Sequence, residues 1–433
     1  MQPKQNGRTH IVIVGGGIAG LALATRLGHR LGLRGEAQIS LVDRNLSHVW
    51  KPMLHTFAAG TANAYQEKIS YLAHAATHGF GFIPGTMTDV DVRQRRIVLA
   101  PILSEEGPEV LAERSVPYDF LVLAGGSRAN DFGTPGVAEW CQFIDDLHEA
   151  QNFNRLFYDD LLRAAEMGTP LNIAIVGGGA TGVELAAEVH QLVAIAKGYG
   201  SGLDPKLGIT LIESGPRILA AFPESVATGA HKQLSELGVR VLTSTRVVAA
   251  DENGFVLADG SRIDSRLRVW AAGIRAPGPF AGIGEFEHAR SGQIVVGPDL
   301  RVKGTDNVFA IGDCASLTVA PSDRPLPPTA QVARQQALHL ARHLPASLQG
   351  RPIPPFKFRD LGSLVSLGKY NAFGTLGRQG FYKGGFIQGQ FARLSHAALY
   401  RLHQVELHGA WRAALLWISA MVAASVRPNI RVD

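Results

Sequence analysis

Two stretches of this 433-residue chain decide its fold: HIVIVGGGIAGLALATRL at residues 10–27 and NIAIVGGGATGVELAAEV at residues 172–189. Each passes from a short β-branched run through a glycine cluster into an Ala/Leu-rich stretch, which predicts a strand, a tight turn and a helix. In the G-x-G-x-x-G spacing, the first glycine permits the turn, the second lets a pyrophosphate approach the backbone, and the third lets helix pack on strand. The predicted cofactor-binding glycines are Gly15, Gly17 and Gly20 in the first copy and Gly177, Gly179 and Gly182 in the second.

In both copies a second predicted strand ends in an acidic residue. AQISLVD ends at Asp43, 23 residues after Gly20, and GITLIE ends at Glu213, 31 residues after Gly182. The longer spacing is explained by the Gly/Pro-rich insertion AKGYGSGLDPKLG. A carboxylate at this place binds ribose hydroxyl groups and favours NAD over NADP. Two complete motifs predict two dinucleotides, as in flavoprotein pyridine-nucleotide reductases, with FAD in the first copy and NADH in the second.

Two later segments agree with a flavin site. LVLAGGSRAND, residues 121–131, is a hydrophobic strand that meets glycines at Gly125. NVFAIGDCAS, residues 307–316, resembles the flavoprotein motif whose aspartate binds the ribityl and phosphate end of FAD, which makes Asp313 a candidate. The alternative for Asp313 is an ordinary helix cap.

The cysteine and histidine patterns exclude two classes of redox chemistry. Disulfide reductases and sulfide:quinone reductases need paired or neighbouring cysteines, whereas Cys141 and Cys314 stand alone and are interpreted as small apolar core residues. The histidine pairs with i,i+4 spacing lack the glutamate of a zinc-protease helix, and no C-x-x-C exists. We predict no metal site, so the organic cofactors carry the chemistry.

The last fifth of the chain is basic, although the whole chain carries a net charge of only +5. Residues 351–433 hold eleven Lys and Arg against three acidic residues. Aromatic and basic side chains alternate there, a pattern that fits either an RNA-binding strip or a membrane interface. The alternating residues are Phe373, Arg378, Phe381, Tyr382, Lys383, Phe386, Phe391 and Arg393.

The end of the chain favours the membrane over nucleic acid, because an uncharged Trp/Leu/Ile run gains nothing from phosphate. Its apolar residues recur at helical spacing between arginines, which predicts a helix lying in a lipid headgroup layer. The longest apolar run, residues 413–426, is shorter than the roughly 18 residues of a spanning helix. A core or dimer-contact helix is the alternative. The recurring residues are Tyr400, Leu407, Trp411, Leu415, Ile418 and Val422. The polar N-terminus, residues 1–10, lacks a signal-peptide core, so we expect a cytoplasmic chain.

Motifs along nearly the whole chain resemble those of bacterial type II NADH:quinone oxidoreductases, the single-subunit respiratory NADH dehydrogenases. They are, in order, HVWKPMLHTFAAG, SYLAHA, AIVGGGATGVELAAE, VWAAGI, FAIGDCAS, PPTAQVARQQA, GSLVSLGKY and LYRLHQVELHG. The resemblance implies an α/β fold of two Rossmann-type dinucleotide-binding domains plus a C-terminal membrane-anchoring domain. It also implies non-covalent FAD, electron transfer from NADH to ubiquinone or menaquinone without proton pumping, a homodimer, and a peripheral position on the cytoplasmic face of the plasma membrane.

The resemblance also assigns site residues. In the family motif A-Q-x-A-x-Q, Gln331 and Gln335 line the quinone tunnel. Glu184 corresponds to a glutamate near the flavin and the nicotinamide, Lys369 is a weaker candidate near the quinone, and VWAAGI places Gly273 at the nucleotide. The first copy has Ala22 where the second has Glu184, so the fold itself does not require a carboxylate there. A surface helix glutamate is the alternative.

The predicted domains are an FAD-binding domain in two parts, residues 1–165 and 286–350, an inserted NADH-binding domain at 166–285, and a membrane-associating domain at 351–433. Two other functions stay open at this stage. One is a soluble flavin reductase whose basic tail docks an acidic redox partner protein. The other is a non-enzymatic flavoprotein that senses NAD or forms a membrane scaffold.

Overall fold

The structure, a computed structural model, describes residues 7–63, 67–104, 107–198, 206–319, 324–377 and 385–426. The chain separates into two compact units. Unit 1 is drawn from Met1–Trp50, Glu67–Arg128 and Ile274–Arg359, and unit 2 from Lys51–Gln66, Ala129–Gly273 and Asp360–Asp433. The domains predicted from the sequence are defined by the ligand that each would bind, whereas these two units are defined by contacts within the chain. The predicted domain boundaries therefore stay predictions.

The α-helices, in chain order, are α1 (Ile18–Leu27), α2 (Leu54–Ala59), α3 (Tyr71–His78), α4 (Val137–Trp140), α5 (Leu147–Met167), α6 (Ala180–Gly198), α7 (Glu224–Glu236), α8 (Gly278–Ala281), α9 (Ala330–Ser347), α10 (Gln390–His408) and α11 (Ala410–Val426). A π-helical turn, Gly28–Gly32, follows α1, and 3-10 turns lie at Lys51–Met53 and Gly312–Cys314.

The strands, in chain order, are β1 (Thr9–Val14), β2 (Ala37–Asp43), β3 (Ser47–His48), β4 (Ile69–Ser70), β5 (Gly81–Pro84), β6 (Met87–Asp91), β7 (Arg96–Leu99), β8 (Ile102–Leu103), β9 (Glu109–Leu111), β10 (Arg114–Pro117), β11 (Phe120–Leu123), β12 (Arg128–Ala129), β13 (Leu171–Val176), β14 (Leu207–Ile212), β15 (Arg240–Leu242), β16 (Val247–Asp251), β17 (Gly254–Leu257), β18 (Arg262–Asp264), β19 (Leu267–Trp270), β20 (Ile274–Arg275), β21 (Ile294–Val295), β22 (Val308–Ala310), β23 (Ala315–Ser316), β24 (Gly362–Leu367), β25 (Asn371–Leu376) and β26 (Gly385–Gln388).

Unit 1 is built on a parallel sheet with strand order β22-β11-β1-β2-β5. Its central strand β1 buries Ile11, Val12 and Ile13 completely, as a strand covered on both faces must. Helix α1 follows directly and packs against α9, with Leu21 and Leu23 fully buried. The carboxyl ends of β1 and β2 therefore meet at one edge of the sheet, where the first glycine turn lies.

Unit 2 repeats this plan with a parallel sheet of order β15-β14-β13-β19. Strand β13 leads into the second glycine turn and then into α6, just as β1 leads into α1. Strands β24, β25 and β26 add an antiparallel sheet within the same unit, and β24 packs against α6. Each parallel sheet contains a strand that leads into a glycine motif and a helix. The two sheets confirm the predicted α/β class.

The segment Lys51–Gln66 lies in the sequence between two parts of unit 1, but it belongs to unit 2. Helix α2 contacts α5 and α6, and the side-chain amide of Asn154 on α5 donates a hydrogen bond to the carbonyl oxygen of Ala58, at 3.0 Å. Asn154 is buried, so this bond satisfies both groups away from water. Helix α2 thus faces the helix that carries Glu184.

The chain end forms two helices where the apolar spacing predicts one. Gly409, with φ of +80° and ψ of 160°, separates α10 from α11, because this non-helical conformation interrupts the helix and is open to glycine. Leu407 before the break is buried, whereas Trp411, Leu415 and Ile418 after it are exposed. Arg378, Phe381, Tyr382 and Lys383 of the predicted aromatic and basic strip lie outside the described residues, as do the side chains of Phe386, Phe391 and Arg393.

In the part of the chain that the structure describes, no helix has both the length and the apolar character needed to cross a membrane.

Candidate functional site

The first glycine turn has the geometry that its spacing predicts. Gly15 has φ of +105°, and a Cβ on it would lie 2.3 Å from the carbonyl oxygen of Ala124. A Cβ on Gly20 would lie 1.8 Å from the carbonyl oxygen of Gly15, so helix and strand approach too closely for any side chain. Around Gly17 the space is open, and its helix α1 begins without a side-chain cap. The first amides of α1 are therefore suited to a phosphate.

Asp43 closes this turn from the end of β2. Its carboxylate accepts hydrogen bonds from the amides of Gly16, at 2.6 Å, and Asn45, at 2.8 Å. Burial raises the pKa of Asp43, while these two amide bonds oppose the rise. The predicted role of this carboxylate is to bind ribose hydroxyl groups of FAD.

Two buried residues that are absent from the predicted set support the same turn. The Tyr71 hydroxyl donates to the carbonyl oxygen of Gly16 at 2.7 Å, and His48 Nδ1 bonds to the same oxygen at 2.9 Å. Burial raises the pKa of the Tyr71 phenol well above its usual value, so it stays a donor. Both residues lie in motifs that carry the family resemblance, HVWKPMLHTFAAG and SYLAHA, which is the signal that could have found them.

The Asp313 region also lies in unit 1. The Asp313 carboxylate accepts a hydrogen bond from the Ser127 hydroxyl at 2.8 Å, which joins the two segments predicted to hold the flavin. The 3-10 turn that contains Asp313 has Ile311 at its N-cap, so the capping interpretation of Asp313 is wrong. Gly125 lies against the ring of Phe280, which a Cβ would approach to 2.3 Å.

The second glycine turn repeats the first. Gly177 has φ of +115°, a Cβ on Gly182 would lie 2.1 Å from the carbonyl oxygen of Gly177, and Gly179 faces open space. The Glu213 carboxylate accepts from the amides of Gly178, at 2.7 Å, and Gly215, at 2.6 Å. Asp43 and Glu213 therefore bind Gly16 and Gly178 in the same manner, in each case the residue between the first two glycines of the motif.

A cleft of about 600 Å³ opens beside the second turn in unit 2. Gly177, Gly179 and Glu213 line it, together with Arg246 and Gly273. Gly273 has φ of +65° and lies against Phe132, leaving no room for a side chain. Exposed Arg246, which the sequence motifs do not indicate, adds a cation that suits a pyrophosphate.

Glu184 lies on α6 and is buried, which excludes the surface-helix alternative. One carboxyl oxygen accepts a hydrogen bond from the Ser366 amide on β24 at 2.9 Å, and the other lies 3.4 Å from His55 Nδ1 on α2. Burial raises the pKa of Glu184 to about 8, and the nearby Glu188 adds to the rise. Glu184 is thus a carboxylic acid at neutral pH, able to give up a proton.

Further polar residues of unit 2 follow Glu184 along α6. Glu188 accepts a hydrogen bond from the Thr61 hydroxyl at 2.6 Å, and burial raises its pKa. His190 bonds the Tyr370 hydroxyl at 2.8 Å. The predicted Lys369 is exposed, and its ammonium lies 5.7 Å from the centre of the Tyr370 ring.

Gln331 and Gln335 lie on α9 in unit 1, which begins at the Thr329 cap. Both Gln335 amide atoms bond to the backbone of Arg359, at 2.8 and 3.0 Å. Buried Gln336, outside the predicted set, accepts from the Gly312 amide at 2.7 Å. Gln335 thus fixes the backbone at Arg359 to α9. Gln331 is half-buried at the start of the same helix.

Both cysteines are buried, as their interpretation as small apolar core residues predicts. Cys141 and Cys314 are free and buried, and burial raises the pKa of each thiol to about 12. Cys141 packs in the apolar core of unit 2, with Val176, Phe255 and Trp270. Among the described residues, no group of three or more His, Cys, Asp or Glu side chains could hold a metal ion.

The predicted residues thus fall into two groups. Unit 1 brings together the flavin candidates Gly15, Gly17, Gly20, Asp43, Gly125 and Asp313 and also carries Gln331 and Gln335. Unit 2 carries the nucleotide candidates Gly177, Gly179, Gly182, Glu213 and Gly273, with Glu184 and Lys369.

The sequence matches the family model described as pyridine nucleotide-disulphide oxidoreductase over residues 9–337. It is 37% identical to the type II NADH:quinone oxidoreductase of Haemophilus influenzae, over 98% of this chain and 99% of the relative. A relative of the same name from Staphylococcus aureus is 30% identical, over 85% of this chain and 90% of the relative. The solved structure of NDH2 from Plasmodium falciparum in complex with NADH has a TM-score of 0.80 at 19% identity, covering 98% of this chain and 100% of that chain.

Replacing Glu213 with Gln should weaken binding of NADH. The amide lacks the charge that strengthens a hydrogen bond to ribose, so we expect KM for NADH to rise about tenfold, with a smaller effect on NADPH. Steady-state kinetics with both nucleotides measures the change. Glu224→Gln, an exposed acid on α7 in the same unit, is the matched control. Equal changes for NADH and NADPH would contradict the ribose assignment.

The raised pKa of Glu184 predicts a pH-dependent stability. Its folded-state pKa of about 8 lies above the ordinary value of 4.5, so the folded state loses stability as pH rises between them. Glu184→Gln removes this loss. We compare the free energy of unfolding of the variant with that of the wild type at two pH values. The difference, variant minus wild type, should be larger at about pH 8 than at about pH 5.5, by on the order of 1–3 kcal/mol. Chemical unfolding at both pH values measures it, and a constant difference would refute the raised pKa.

Proposed function

The chain belongs to the pyridine nucleotide-disulphide oxidoreductase family and, within it, to the type II NADH:quinone oxidoreductases, and from this premise we propose that it passes two electrons from NADH through FAD to a membrane quinone without pumping protons. The observation that carries the proposal is the duplicated turn, in which the carboxylates of Asp43 and Glu213 accept from the amides of Gly16 and Gly178, each between the first two glycines of a dinucleotide motif. The buried, isolated cysteines support an acceptor other than a thiol.

NADH binds in the cleft of unit 2. The open space at Gly179 admits the pyrophosphate, the first amides of α6 face its charge, and Arg246 neutralises part of it. Glu213 accepts from the ribose hydroxyl groups, which selects NADH because a 2′-phosphate would meet a carboxylate. Gly273 keeps the cleft open where a side chain would meet Phe132.

FAD fits the first turn of unit 1 and binds there without a covalent link. Gly17 and the uncapped start of α1 suit its pyrophosphate, Asp43 its ribose, and Asp313, oriented by Ser127, its ribityl and phosphate end. When bound, the flavin accepts a hydride from NADH and returns two electrons to the quinone. Gly125 lets the backbone pack against the Phe280 ring, next to the segment that carries Ser127.

Quinone reduction also needs protons, and Glu184 is suited to supply one. Its carboxyl is protonated at neutral pH because burial disfavours the charged form. The Ser366 amide keeps the carboxyl oriented and stabilises the carboxylate that remains after the proton leaves. In unit 1, Gln331 donates to the quinone headgroup, and Gln335 holds the chain at Arg359. In unit 2, exposed Lys369 supplies a cation that suits a reduced quinone.

The exposed apolar face of α11 supports a peripheral place on the membrane. Trp411, Trp417, Ile418 and Val422 are all more than half exposed, an arrangement that suits the boundary between headgroups and acyl chains. Arg401 lies 5.9 Å from the centre of the Trp417 ring and adds a positive charge for anionic lipid. We place the enzyme on the cytoplasmic face of the plasma membrane, as a homodimer.

The function is tested by NADH oxidation with a short-chain quinone. We expect rapid turnover with NADH by the FAD-loaded protein. Replacing Glu184 with Gln should slow quinone-dependent turnover about 100-fold and leave the FAD content normal, since a general acid commonly contributes this much. Flavin reduction by NADH without turnover of quinone would instead favour a soluble reductase with a protein partner. Unchanged turnover in the Glu184→Gln variant would refute the role of this residue.

Membrane association is tested by a charge on α11. Ile418→Glu should lower binding to anionic vesicles by about tenfold or more, because a carboxylate would have to enter the apolar layer. Flotation with vesicles measures the bound fraction. Leu162→Glu on α5 is the matched control, since Leu162 is 54% exposed and Ile418 53%. A change of molecular mass without a change in vesicle binding would identify the face as a dimer contact.

A further inference from the structure

The segment Lys51–Gln66 presents two polar side chains to α6, and each faces one of its buried glutamates. His55 lies opposite Glu184, and Thr61 bonds to Glu188. The two glutamates are four residues apart and therefore share one face of the helix. One segment thus contributes a partner to each carboxyl group, although the dinucleotide motifs give it no role.

The contact between His55 and Glu184 is the one that can exchange a proton. Nδ1 of His55 lies 3.4 Å from a carboxyl oxygen of Glu184, and both side chains are buried. An imidazole beside a carboxylic acid is neutral as a pair, and so is an imidazolium beside a carboxylate. Either other combination leaves one unbalanced charge in a buried place, which is strongly unfavourable. The pair is therefore expected to hold one shared proton and to titrate as a unit.

We propose that His55 is the positioning residue for Glu184: it holds the carboxyl group and exchanges one proton with it during quinone reduction. This inference rests on the function proposed above. It names a residue outside the nucleotide turns, on a segment that reaches unit 2 from between two parts of unit 1.

The proton balance of the step is simple. NADH supplies a hydride, which amounts to two electrons and one proton, and a quinone needs two protons to become a quinol. The second proton leaves the carboxyl group of Glu184, whose O–H bond breaks as the quinol O–H bond forms. The neutral imidazole of His55 then takes up a proton from solvent and passes it to the carboxylate of Glu184. No electrons move in these last two steps.

Other titratable groups on α6 and on the elements around it could also influence the protonation of Glu184. Glu188 on α6 raises the pKa of Glu184 through its charge. Tyr370, whose hydroxyl bonds His190, and exposed Lys369 follow β24. None of these donates a hydrogen bond to Glu184 in the contacts described, whereas the Ser366 amide does. A change at His55 can thus be separated from changes at these groups.

The test compares His55→Phe, which removes the polar contact at similar size, with His55→Asn, which keeps a donor near the position of Nδ1. His74→Asn is the matched control, a buried histidine of unit 1 that bonds Thr25. Infrared difference spectra follow the protonated carboxyl band of Glu184, assigned with Glu184→Gln. Stopped-flow absorbance measures flavin reduction by NADH and flavin reoxidation by quinone separately.

With His55→Phe, we expect the titration midpoint of the Glu184 band to rise by about one pH unit or more, because the carboxylate loses its partner. Quinone-dependent reoxidation should slow about tenfold or more, with flavin reduction by NADH unchanged within about twofold. His55→Asn should restore the midpoint but not the rate, since an amide does not exchange this proton. The double variant with Glu184→Gln should be no slower than Glu184→Gln alone.

An unchanged midpoint and reoxidation rate in His55→Phe would overturn the proposal, and so would additive slowing in the double variant. If neither variant of His55 folds with FAD, the test uses wild-type protein whose histidines are labelled with nitrogen-15, which identifies the imidazole bands in the infrared spectra. Imidazole bands must then titrate together with the Glu184 carboxyl band, and independent titration overturns the pair. The infrared titration needs no quinone. A wild type that fails to reduce quinone would therefore refute the proposed function and leave the pairing testable.

Discussion

The close approach of helix to strand at the two glycine turns is the constraint on which the rest of the structure depends. At Gly20 and Gly182, a single methyl group would meet the carbonyl oxygen of Gly15 or Gly177 within about 2 Å. Because the helix sits so close, its first amides lie beside the carboxyl ends of the sheet strands. The carboxylates of Asp43 and Glu213 then reach the amides of Gly16 and Gly178 from the next strand. The placement of the helix and of the carboxylate in each unit follows from that contact.

A second level of organisation concerns the buried acid. The parallel sheet of unit 2 positions α6, but it does not bury Glu184 by itself. Burial is completed by β24, which supplies the Ser366 amide, and by α2, which supplies His55. Both elements come from parts of the chain distant in sequence from the glycine turn. The nucleotide turn and the proton-handling group are thus supported by different segments, so substitutions at one need not disturb the other.

Much of this architecture could be predicted from the sequence, and the reason is local. A glycine spacing and a carboxylate at the end of a strand report geometry within a few residues, so the turns at Gly15 and Gly177 and the positions of Asp43 and Glu213 at the strand ends could be predicted directly. Contacts between distant segments leave no such pattern. The packing of Lys51–Gln66 in unit 2, the backbone bonds of Gln335 and the Tyr71 bond to Gly16 depend on tertiary structure. The helix break at Gly409 was readable, since glycine commonly ends a helix, but the apolar periodicity continues across it.

The burial of both cysteines has a consequence for the conditions under which the protein can work. A thiol reacts with peroxides and electrophiles as its thiolate, and a thiol whose pKa is about 12 has almost none at neutral pH. Cys314 is in addition engaged with the carbonyl oxygens of Ile311 and Leu123 in the core of unit 1. The oxidants that accompany respiration therefore find no reactive sulfur at these two positions.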